Sequence, residues 1–318
     1  IHNWSYTEMP NSTKQKRNPQ ADLTRKVLEQ MKEHGANWVK PWKGQMANGA
    51  HHNCVTGNYY TGGNIFSLWI AAEVHGFTDP RWSTYKGWES TDTPVPKGEK
   101  ATAHILTRMP TKLKDSKGKP VLDKNGVQKT GLFFKAVAVW NAQQVGAEAL
   151  VAEERDPVEV LVGVEDFIAN CGADIRTVEG SNSAHYSPIK DHIVLPSIKD
   201  FIGDTDADKQ RGYYGTALHE LGHWTGHRTR LNRPEIYERN SENYAKEELC
   251  AELCAVFASA ELGIEHTPAP DHAQYLASWM KALENDEKLF FKAAGKAQKA
   301  LAHLKSLQSE DEADEKAA

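Results

Sequence analysis

The sequence predicts an α+β fold made of two domains. The chain has 318 residues, which is enough for about two domains of ordinary size. Its halves differ in charge: residues 1–150 hold 20 Lys and Arg against 12 Asp and Glu (net +8), and residues 151–318 hold 18 against 31 (net −13). Segments with helical periodicity alternate with short β-rich runs in both halves, which favours α+β over an all-helical fold.

The predicted domain boundaries lie in polar, acidic or turn-rich stretches. The acidic stretch 147–157 is typical of a linker, and both chain ends are polar. The sequence thus predicts a flexible arm (1–18), an N-terminal domain (19–146), a linker (147–157), a C-terminal domain (158–308) and a disordered tail (309–318).

Three helices are predicted in the first half of the N-terminal domain. The first begins at Asn18, a good N-cap, has Pro19 in its first turn and ends near Gly35. The second covers 64–75, which is largely apolar and is followed by a glycine. The third is expected over 79–88, where an Asp-Pro pair begins a segment with two tryptophans.

Strands and further helices complete the predicted order of elements. Paired strands are expected over 100–108 and 131–140, joined by a Lys/Gly-rich hairpin extension over 110–130. In the second half, a helix over 158–171 precedes short strands over 173–178, 184–188 and 192–195, and helices then continue to the end.

Composition argues against a membrane-spanning protein and against a disulfide-stabilised one. No apolar run approaches the roughly 18–20 residues that cross a bilayer. The four cysteines, at 54, 171, 250 and 254, are too few for a disulfide framework in a chain of this length. We therefore expect reduced thiols, a cytoplasmic location and no membrane partner.

The strongest motif is the H-E-x-x-H pattern from His219 to His223. On a helix, these two histidines lie one turn apart on one face, so both imidazoles can bind one ion. Glu220 lies beside the first histidine, where it can take a proton from a water that the ion has acidified. Imidazole ligands favour zinc, with manganese as an alternative. The pattern predicts a metal-dependent hydrolase with Glu220 as its catalytic base.

A third protein ligand is expected, since a catalytic zinc has three protein ligands and one open position. The position at which metzincins place a third histidine is occupied by Thr229. The alternative is the strongly helical segment 244–259, which places Glu248 and Glu252 on one face. We expect Glu248 to bind the ion and Glu252 to orient a ligand histidine, although the reverse assignment stays open. Glu247 points about 100° away from Glu248 around the helix axis and is expected to be solvated.

A tyrosine near the ion could donate a hydrogen bond to an oxyanion. Tyr186 and Tyr213 are the candidates for this role, with Tyr214 as a further one. The strand that contains Tyr186 could also present its edge to an extended peptide.

The N-terminal half is rich in aromatic as well as basic residues, and seven of the nine tryptophans precede residue 150. Basic side chains attract phosphates, and exposed rings stack on unpaired bases. We therefore predict single-stranded DNA as a partner, with double-stranded DNA as a second candidate. Roughly half of the candidate rings are expected to be core residues. The candidate DNA-binding residues are Trp42, Tyr60, Arg81, Trp82, Tyr85, Lys86, Trp88, Lys97 and Lys100.

Several short segments together resemble a known family. TGNYYTGGNIFSLW (56–69), GFTDPRWSTYKGW (76–88), VPKGEKAT (95–102) and VAVWNAQQVG (137–146) are similar to the N-terminal domain of ArdC-type antirestriction proteins. HELGHWTGHRTRLNR (219–233) and YAKEELCAEL (244–253) are similar to their zincin-like metallopeptidase domain, which also occurs in phage and plasmid polyvalent proteins. The resemblance covers most of residues 19–263 in the expected order.

The resemblance implies a function and assigns residues to it. In this family the first domain binds single-stranded DNA, and the whole protein is implicated in shielding incoming conjugative plasmid DNA from host restriction. His219 and His223 match the family's metal ligands, Glu220 its catalytic base and Glu248 its third ligand. A protein substrate is implied but not identified.

Three rival hypotheses remain open from the sequence. The protein could mask DNA and hold a non-catalytic zinc ion, although structure alone would not require Glu220. It could also be a general metalloprotease without a nucleic-acid role. A metal-dependent nuclease fits less well, because such sites usually hold two ions on carboxylates.

Overall fold

The computed structural model describes residues 18–35, 50–150, 157–239, 241–265 and 272–308. The architecture is α+β with two domains, as predicted: the N-terminal one has a four-stranded sheet, and the C-terminal one has a three-stranded sheet and long helices. Trp42 and the segments predicted as tail, almost all of the arm and most of the linker lie outside the described residues. Among the described helices, none combines the length and apolarity needed to cross a membrane.

The helices within the described ranges divide between the two domains. The N-terminal half contains α1 (Pro19–His34), α2 (Gly63–His75), α3 (Tyr85–Glu89) and α4 (Ala142–Val145). The C-terminal half contains α5 (Pro157–Asn170), α6 (Asp206–Trp224), α7 (Glu242–Leu262), α8 (His272–Asn285) and α9 (Leu289–Lys305), with short 3₁₀ turns at Ile198–Asp200 and Pro234–Tyr237.

The strands form two separate sheets. They are β1 (His52–Asn53), β2 (Arg81–Ser83), β3 (Ala103–Lys112), β4 (Thr130–Asn141), β5 (Asp174–Val178), β6 (His185–Ser187) and β7 (His192–Pro196). The N-terminal sheet has the order β1-β2-β4-β3, with only β1 and β2 parallel. The C-terminal sheet has the order β5-β7-β6, in which β6 is an edge strand antiparallel to β7.

Helix α1 begins and ends where its sequence predicts. The Asn18 side chain accepts a hydrogen bond from the backbone N–H of Gln20, and Gly35 ends the helix with a φ of 56° that disfavours other residues. Leu23, Val27 and Met31 recur every four residues and are buried. They pack on α8 and α9, so the first helix contributes to the core of the C-terminal domain.

One hydrophobic core joins the two domains. Phe66 of α2 makes edge contacts with Phe290 of α9, at 4.8 Å between ring centroids, and lies 5.6 Å from Phe257 of α7. Leu221 of α6 belongs to the same buried cluster. The helix that carries the H-E-x-x-H motif is thus held in a core to which both halves of the chain contribute.

The prediction of a helix over 79–88 is wrong for the first half of that segment. Residues 81–83 form β2, which pairs with β1 on one side and with the end of β4 on the other. The Asn141 side chain donates a hydrogen bond to the carbonyl of Asp79 and fixes the entry to this strand. Only α3 is helical, and Thr84 caps it by accepting from the N–H of Gly87. Pairing with distant strands overrides the local helical pattern here.

Candidate metal centre

Helix α6 presents the two motif histidines on one buried face. Thr205 and Asp208 form a capping box at its N-terminus, as a threonine followed three residues later by an acid predicts. Every residue from Tyr214 to Trp224 is buried. The imidazole rings of His219 and His223 lie 4.8 Å apart between centroids, one helical turn from each other.

Helix α7 places Glu248 opposite both rings. One Glu248 carboxylate oxygen lies 3.5 Å from His219 Nε2, and the other lies 3.4 Å from His223 Nε2. The ligand atoms of the three residues all lie within 4.8 Å of one another. In a tetrahedral zinc site, ligand atoms 2.0–2.1 Å from the ion are about 3.3 Å apart. The three side chains therefore fit a single divalent cation.

Glu252 occupies the position of an orienting residue. It lies one turn after Glu248 and accepts a hydrogen bond from His219 Nδ1 at 3.2 Å, on the side of the ring away from Glu248. Carboxylates that receive this second N–H of a metal-binding histidine fix its tautomer and orientation. The geometry favours Glu248 over Glu252 as the third ligand.

The two helices can approach closely because both carry small residues at their crossing. A Cβ on Gly222 would lie 3.0 Å from the Cα of Ala251 and 3.3 Å from the Cβ of Cys254. The nearest of these atoms belong to the α7 backbone, which cannot shift by itself as a flexible side chain could. A side chain at position 222 would therefore push α7 away from α6. This contact brings the Glu248 carboxylate within reach of both imidazoles. Cys250 and Cys254 are buried and free, and burial raises the pKa of the Cys250 thiol to about 12.

The expectation that Glu247 is solvated is wrong. Its side chain is buried, and both of its oxygens accept hydrogen bonds from the Arg233 guanidinium, at 2.7 and 2.8 Å. Glu247 also accepts from His223 Nδ1 at 3.3 Å, so each motif histidine has a carboxylate behind it. The partner of Glu247 comes from the connection between α6 and α7, which a helical projection of α7 alone does not include.

Arg233 is a structural residue that sequence reasoning missed. Besides Glu247, it donates to the carbonyl of Gly222 and to the Thr225 hydroxyl at the C-terminal end of α6. A cation at this end is favourable because the last helical carbonyls carry partial negative charge. The sequence places Arg233 ten residues after His223, close to the motif, but this spacing alone does not reveal a buried ion pair.

The buried charges of this centre are strongly coupled. Burial lowers the pKa of His223, but Glu248 and Glu247 outweigh it and raise that pKa to about 9. Burial would raise the pKa of Glu248, but the charge of His223 and the hydrogen bonds from both imidazoles leave it below its ordinary value. A pocket that attracts protons to its imidazoles also attracts a divalent cation, which replaces those protons on binding.

An open cleft of 280 Å³ leads to these residues. Glu220, His219, His223 and Glu248 are among the residues that line it. Residues of the edge strand β6 line it too, as do two further residues that sequence reasoning missed, Arg239 and Tyr244. Glu220 is buried and is also one of the residues that line the cleft.

Of the two tyrosines predicted to stabilise an oxyanion, Tyr186 lines the cleft and Tyr213 is not among its lining residues. The Tyr186 hydroxyl donates to Asp191 at 2.6 Å and accepts from Arg230 at 3.1 Å, so it is engaged in holding the β6–β7 turn against α6. Tyr213 packs against the rings of Phe201 and Tyr214, away from the cleft lining.

Tyr244 is a further phenol of the cleft. It lines the cleft, and its ring stacks on His223 at 6.3 Å between centroids with an interplanar angle of 7°. The further candidate Tyr214 donates its hydroxyl proton to Glu165 at 2.5 Å and is buried. The signal that could have identified Tyr244 is its position one turn before Glu248 on the same helix.

Two of the predicted DNA-stacking residues, Trp82 and Trp88, are core residues. Trp82 is 0% exposed and its indole N–H donates to His51 Nδ1. Trp88 is 3% exposed and donates to the carbonyl of Trp140. Neither ring can stack on a base in this structure. Both indoles satisfy their N–H groups inside the protein, as buried tryptophans usually do.

The other candidates of the N-terminal domain are divided between pairing and exposure. Tyr60 is half-buried, and its hydroxyl donates to the Trp82 carbonyl at 3.4 Å. Arg81 forms a bidentate ion pair with Asp79 and is mostly covered. The candidates that stay exposed are Tyr85, at 47%, and Lys86, Lys97 and Lys100.

Two family models match the chain, one for each domain. Residues 17–140 match the N-terminal domain of anti-restriction factor ArdC. Residues 163–296 match a zincin-like metallopeptidase. The second match contains α6 and α7, and therefore the whole set of His219, His223 and Glu248.

Relatives match over nearly the full length of the chain. A DNA primase TraC of Escherichia coli is 38% identical over 289 residues, which are 87% of this chain but 26% of the primase. A second TraC of the same species is 37% identical, and 19% of it is covered. The chain thus spans about a quarter or less of these primases. The uncharacterized protein y4eC of Sinorhizobium fredii is 32% identical, with 92% of this chain and 93% of y4eC covered.

Two solved structures have the same architecture. The metal-free crystal structure of the antirestriction protein ArdC from plasmid R388 matches with a TM-score of 0.74 at 30% identity, covering 92% of this chain and 98% of that one. Its Mn(II)-bound structure matches with a TM-score of 0.69 at 29% identity, covering 92% and 99%.

Fold and site together define a two-domain protein whose C-terminal half is a zincin-like metallopeptidase domain. Its N-terminal half matches the N-terminal domain of anti-restriction factor ArdC. The chain belongs to the ArdC antirestriction family.

Proposed function

We propose that this protein binds single-stranded DNA through its N-terminal domain and hydrolyses peptide bonds at a metal centre in its C-terminal domain. In this way it would protect incoming plasmid DNA from restriction in the recipient cytoplasm. The observation that carries the proposal is the geometry of His219, His223 and Glu248, with Glu220 at the cleft beside them. A purely structural metal site would need the three ligands but not the fourth side chain.

The ion of this proposal is divalent, and zinc and manganese are both candidates. Two imidazoles and a carboxylate suit zinc, whereas the R388 relative was crystallised with Mn(II). When bound, such an ion supplies Lewis acidity that polarises a carbonyl group and acidifies water. His219 and His223 would bind it through Nε2, because their Nδ1 atoms face Glu252 and Glu247.

Glu220 would serve as the general base. Its carboxylate would take a proton from the attacking water and pass it to the leaving nitrogen. Tyr244 and the Arg239 guanidinium line the cleft and would donate hydrogen bonds to the carbonyl oxygen as it becomes negative. Arg239 also donates to the carbonyl of Tyr186, which fixes it beside β6.

Strand β6 would align the substrate. It is the edge of its sheet and borders the cleft, so an extended peptide can add to it by backbone hydrogen bonds. Side chains along such a peptide would be selected only weakly. The protein substrate would then be chosen by proximity on the DNA as much as by its sequence.

The test separates hydrolysis from masking of the DNA. Wild-type protein and Glu220→Gln, each loaded with Zn²⁺ or Mn²⁺, are compared for cleavage of an unfolded protein substrate and for protection of a conjugative plasmid entering a restricting host. We expect Glu220→Gln to bind metal and DNA normally but to lose cleavage and protection together. Protection that survives without cleavage would establish masking and refute the peptidase role.

A matched variant controls for general damage to the cleft. Glu242→Gln removes one carboxylate from the exposed first turn of α7, on the same helix as Glu248. It should retain cleavage and protection at wild-type levels. Absence of cleavage by the wild-type protein with either metal, across folded and unfolded substrates, would contradict the proposed hydrolysis.

A further inference from the structure

A long two-stranded ribbon extends the N-terminal sheet. Strands β3 and β4 pair continuously from Ala103 opposite Val139 to Lys112 opposite Thr130. Helix α2 covers the outer edge of β3 only near its start, where Asn64 bonds to the backbone of Leu106 in both directions. We name residues 108–135 the basic ribbon.

The basic ribbon carries most of the unbalanced positive charge of its domain. It contains eight Lys and Arg residues and two acidic ones. Both acids are used in turns: Asp115 accepts the N–H groups of Lys117 and Lys119, and Asp123 accepts those of Asn125 and Val127. These two turns hold the backbone of the tip and present its lysines outward.

The ribbon lysines have no acidic partners among the described residues. Their ammonium groups form no ion pair within 4 Å there, in contrast to lysines of the C-terminal domain such as Lys292, Lys296 and Lys305, which each pair with an acid. The basic ribbon therefore projects an uncompensated positive field in a protein whose overall charge is −5.

Apolar side chains are exposed among these lysines. Phe133 is 44% exposed and stands opposite Met109, which is exposed too, and Leu132, on the other face of the ribbon, is 71% exposed. The ribbon is nevertheless anchored, because the Phe134 ring packs against Phe291 of α9 at 5.0 Å between centroids. Exposed apolar surface on an anchored, charged element is typical of an interaction site.

We propose that the basic ribbon binds a single strand of DNA, with its tip lysines on the phosphates and Phe133 stacked on a base. The inference rests on the proposed function for the existence of DNA binding and adds the place where it occurs. Unpaired lysines and an exposed ring form the pair of features that single-stranded nucleic acids require. Trp82 and Trp88, whose burial prevents stacking, have no part in it.

The ribbon also differs from an acidic-protein docking site. Carboxylates of a protein partner would match the lysines but not the exposed Phe133 ring of the same ribbon, whereas a base offers a flat π face to this ring. A duplex hides its bases, so it would use the lysines and leave Phe133 without a partner. Single-stranded DNA is the occupant that uses both features.

The first experiment removes charge. The full chain carrying Lys114→Gln, Lys117→Gln and Lys119→Gln is titrated onto a labelled single-stranded oligonucleotide of about 16 nucleotides, at salt concentrations between about 50 and 200 mM. Three lost phosphate contacts should weaken binding roughly tenfold or more and reduce the slope of log affinity against log salt by about 2.

The matched control removes the same charge elsewhere. Lys190→Gln, Lys281→Gln and Lys299→Gln, all at exposed positions of the C-terminal domain, give a protein of equal net charge. This control should bind with the wild-type affinity and slope. If both triple variants lose affinity equally, the attraction comes from net charge and the ribbon is not the site.

The second experiment removes the ring. Phe133→Leu keeps an apolar side chain but no π face, so it should weaken single-strand binding about fivefold or more while leaving the salt slope unchanged. Tight binding of duplex DNA that is insensitive to Phe133→Leu would overturn the single-strand assignment.

The failures of the two proposals can be distinguished. If the wild-type protein does not bind single-stranded DNA at all, the proposed function of the N-terminal domain fails. If the wild type binds and the triple variant at Lys114, Lys117 and Lys119 binds equally well, with the same salt slope, the basic ribbon is not the binding site. The proposal that the N-terminal domain binds single-stranded DNA would then still hold.

Discussion

The two domains use charged side chains in opposite ways. Around α6 and α7 the charges are buried and matched: His219, His223, Glu248 and Arg233 are all nearly inaccessible and each has an oppositely charged or hydrogen-bonding partner. On the basic ribbon the lysines are exposed and unpaired within the described residues.

The difference teaches what each arrangement can recognise. Buried, matched groups hold a single geometry, which a metal ion with fixed bond lengths requires. Exposed cations attract any chain of phosphates without fixing its register, at a strength that salt controls. The variants described next test whether exact side-chain geometry matters at the metal centre between α6 and α7 and does not matter on the basic ribbon.

The largest effect is expected from breaking the buried ion pair behind His223. Arg233→Met removes the bidentate guanidinium partner of the buried Glu247 and leaves that carboxylate the single hydrogen bond from His223 Nδ1, which should lower the free energy of unfolding by about 3–5 kcal/mol. Chemical denaturation of the metal-free chain measures it. Arg176→Met, which removes the exposed partner of Asp174, is the matched control and should leave the stability nearly unchanged. Equal effects of the two variants would erase the contrast between buried and exposed charge.

Loss of the third ligand should follow. Glu248→Gln removes the carboxylate that lies between both imidazole Nε2 atoms, so the affinity for Zn²⁺ or Mn²⁺ should fall by more than about 100-fold. Calorimetric titration with each ion measures this change. Retention of wild-type affinity by Glu248→Gln would show that another residue completes the site.

The sequence was sufficient for features that repeat along the chain. The apolar residues of α1, the cap at Asn18 and the i, i+4 pair in the H-E-x-x-H motif are local patterns, and each predicted its element. The partners of these elements are not local: α1 packs in the C-terminal core, which its periodicity does not reveal.

The errors have the same origin. Glu247 was expected to be solvated because a helical projection of α7 lacks Arg233, which arrives from the preceding connection. Trp82 was expected to face DNA because nothing near it in sequence indicates that β2 lies between two other strands.

A smaller effect is expected from the orienting carboxylate. Glu252→Gln keeps an oxygen that accepts from His219 Nδ1 but removes its charge, so metal affinity should fall about 10- to 100-fold, less than for Glu248→Gln. The same calorimetric titration ranks the two variants. If Glu252→Gln were the more damaging, the ligand roles of the two glutamates would have to be exchanged.

The smallest effect is expected on the ribbon itself. Lys114→Gln, Lys117→Gln and Lys119→Gln remove no ion pair of the described residues, so the thermal unfolding midpoint should match that of the wild type. Differential scanning calorimetry provides the comparison. A marked loss of stability would mean that these lysines hold the fold together.

Anomalous diffraction from crystals grown with Zn²⁺ or Mn²⁺ tests the central claim most directly. The account predicts one ion about 2.0–2.2 Å from His219 Nε2, His223 Nε2 and a Glu248 oxygen, with its remaining position open to the cleft beside Glu220. An ion bound instead through Glu252 or Glu247, or no anomalous peak between α6 and α7, would contradict it.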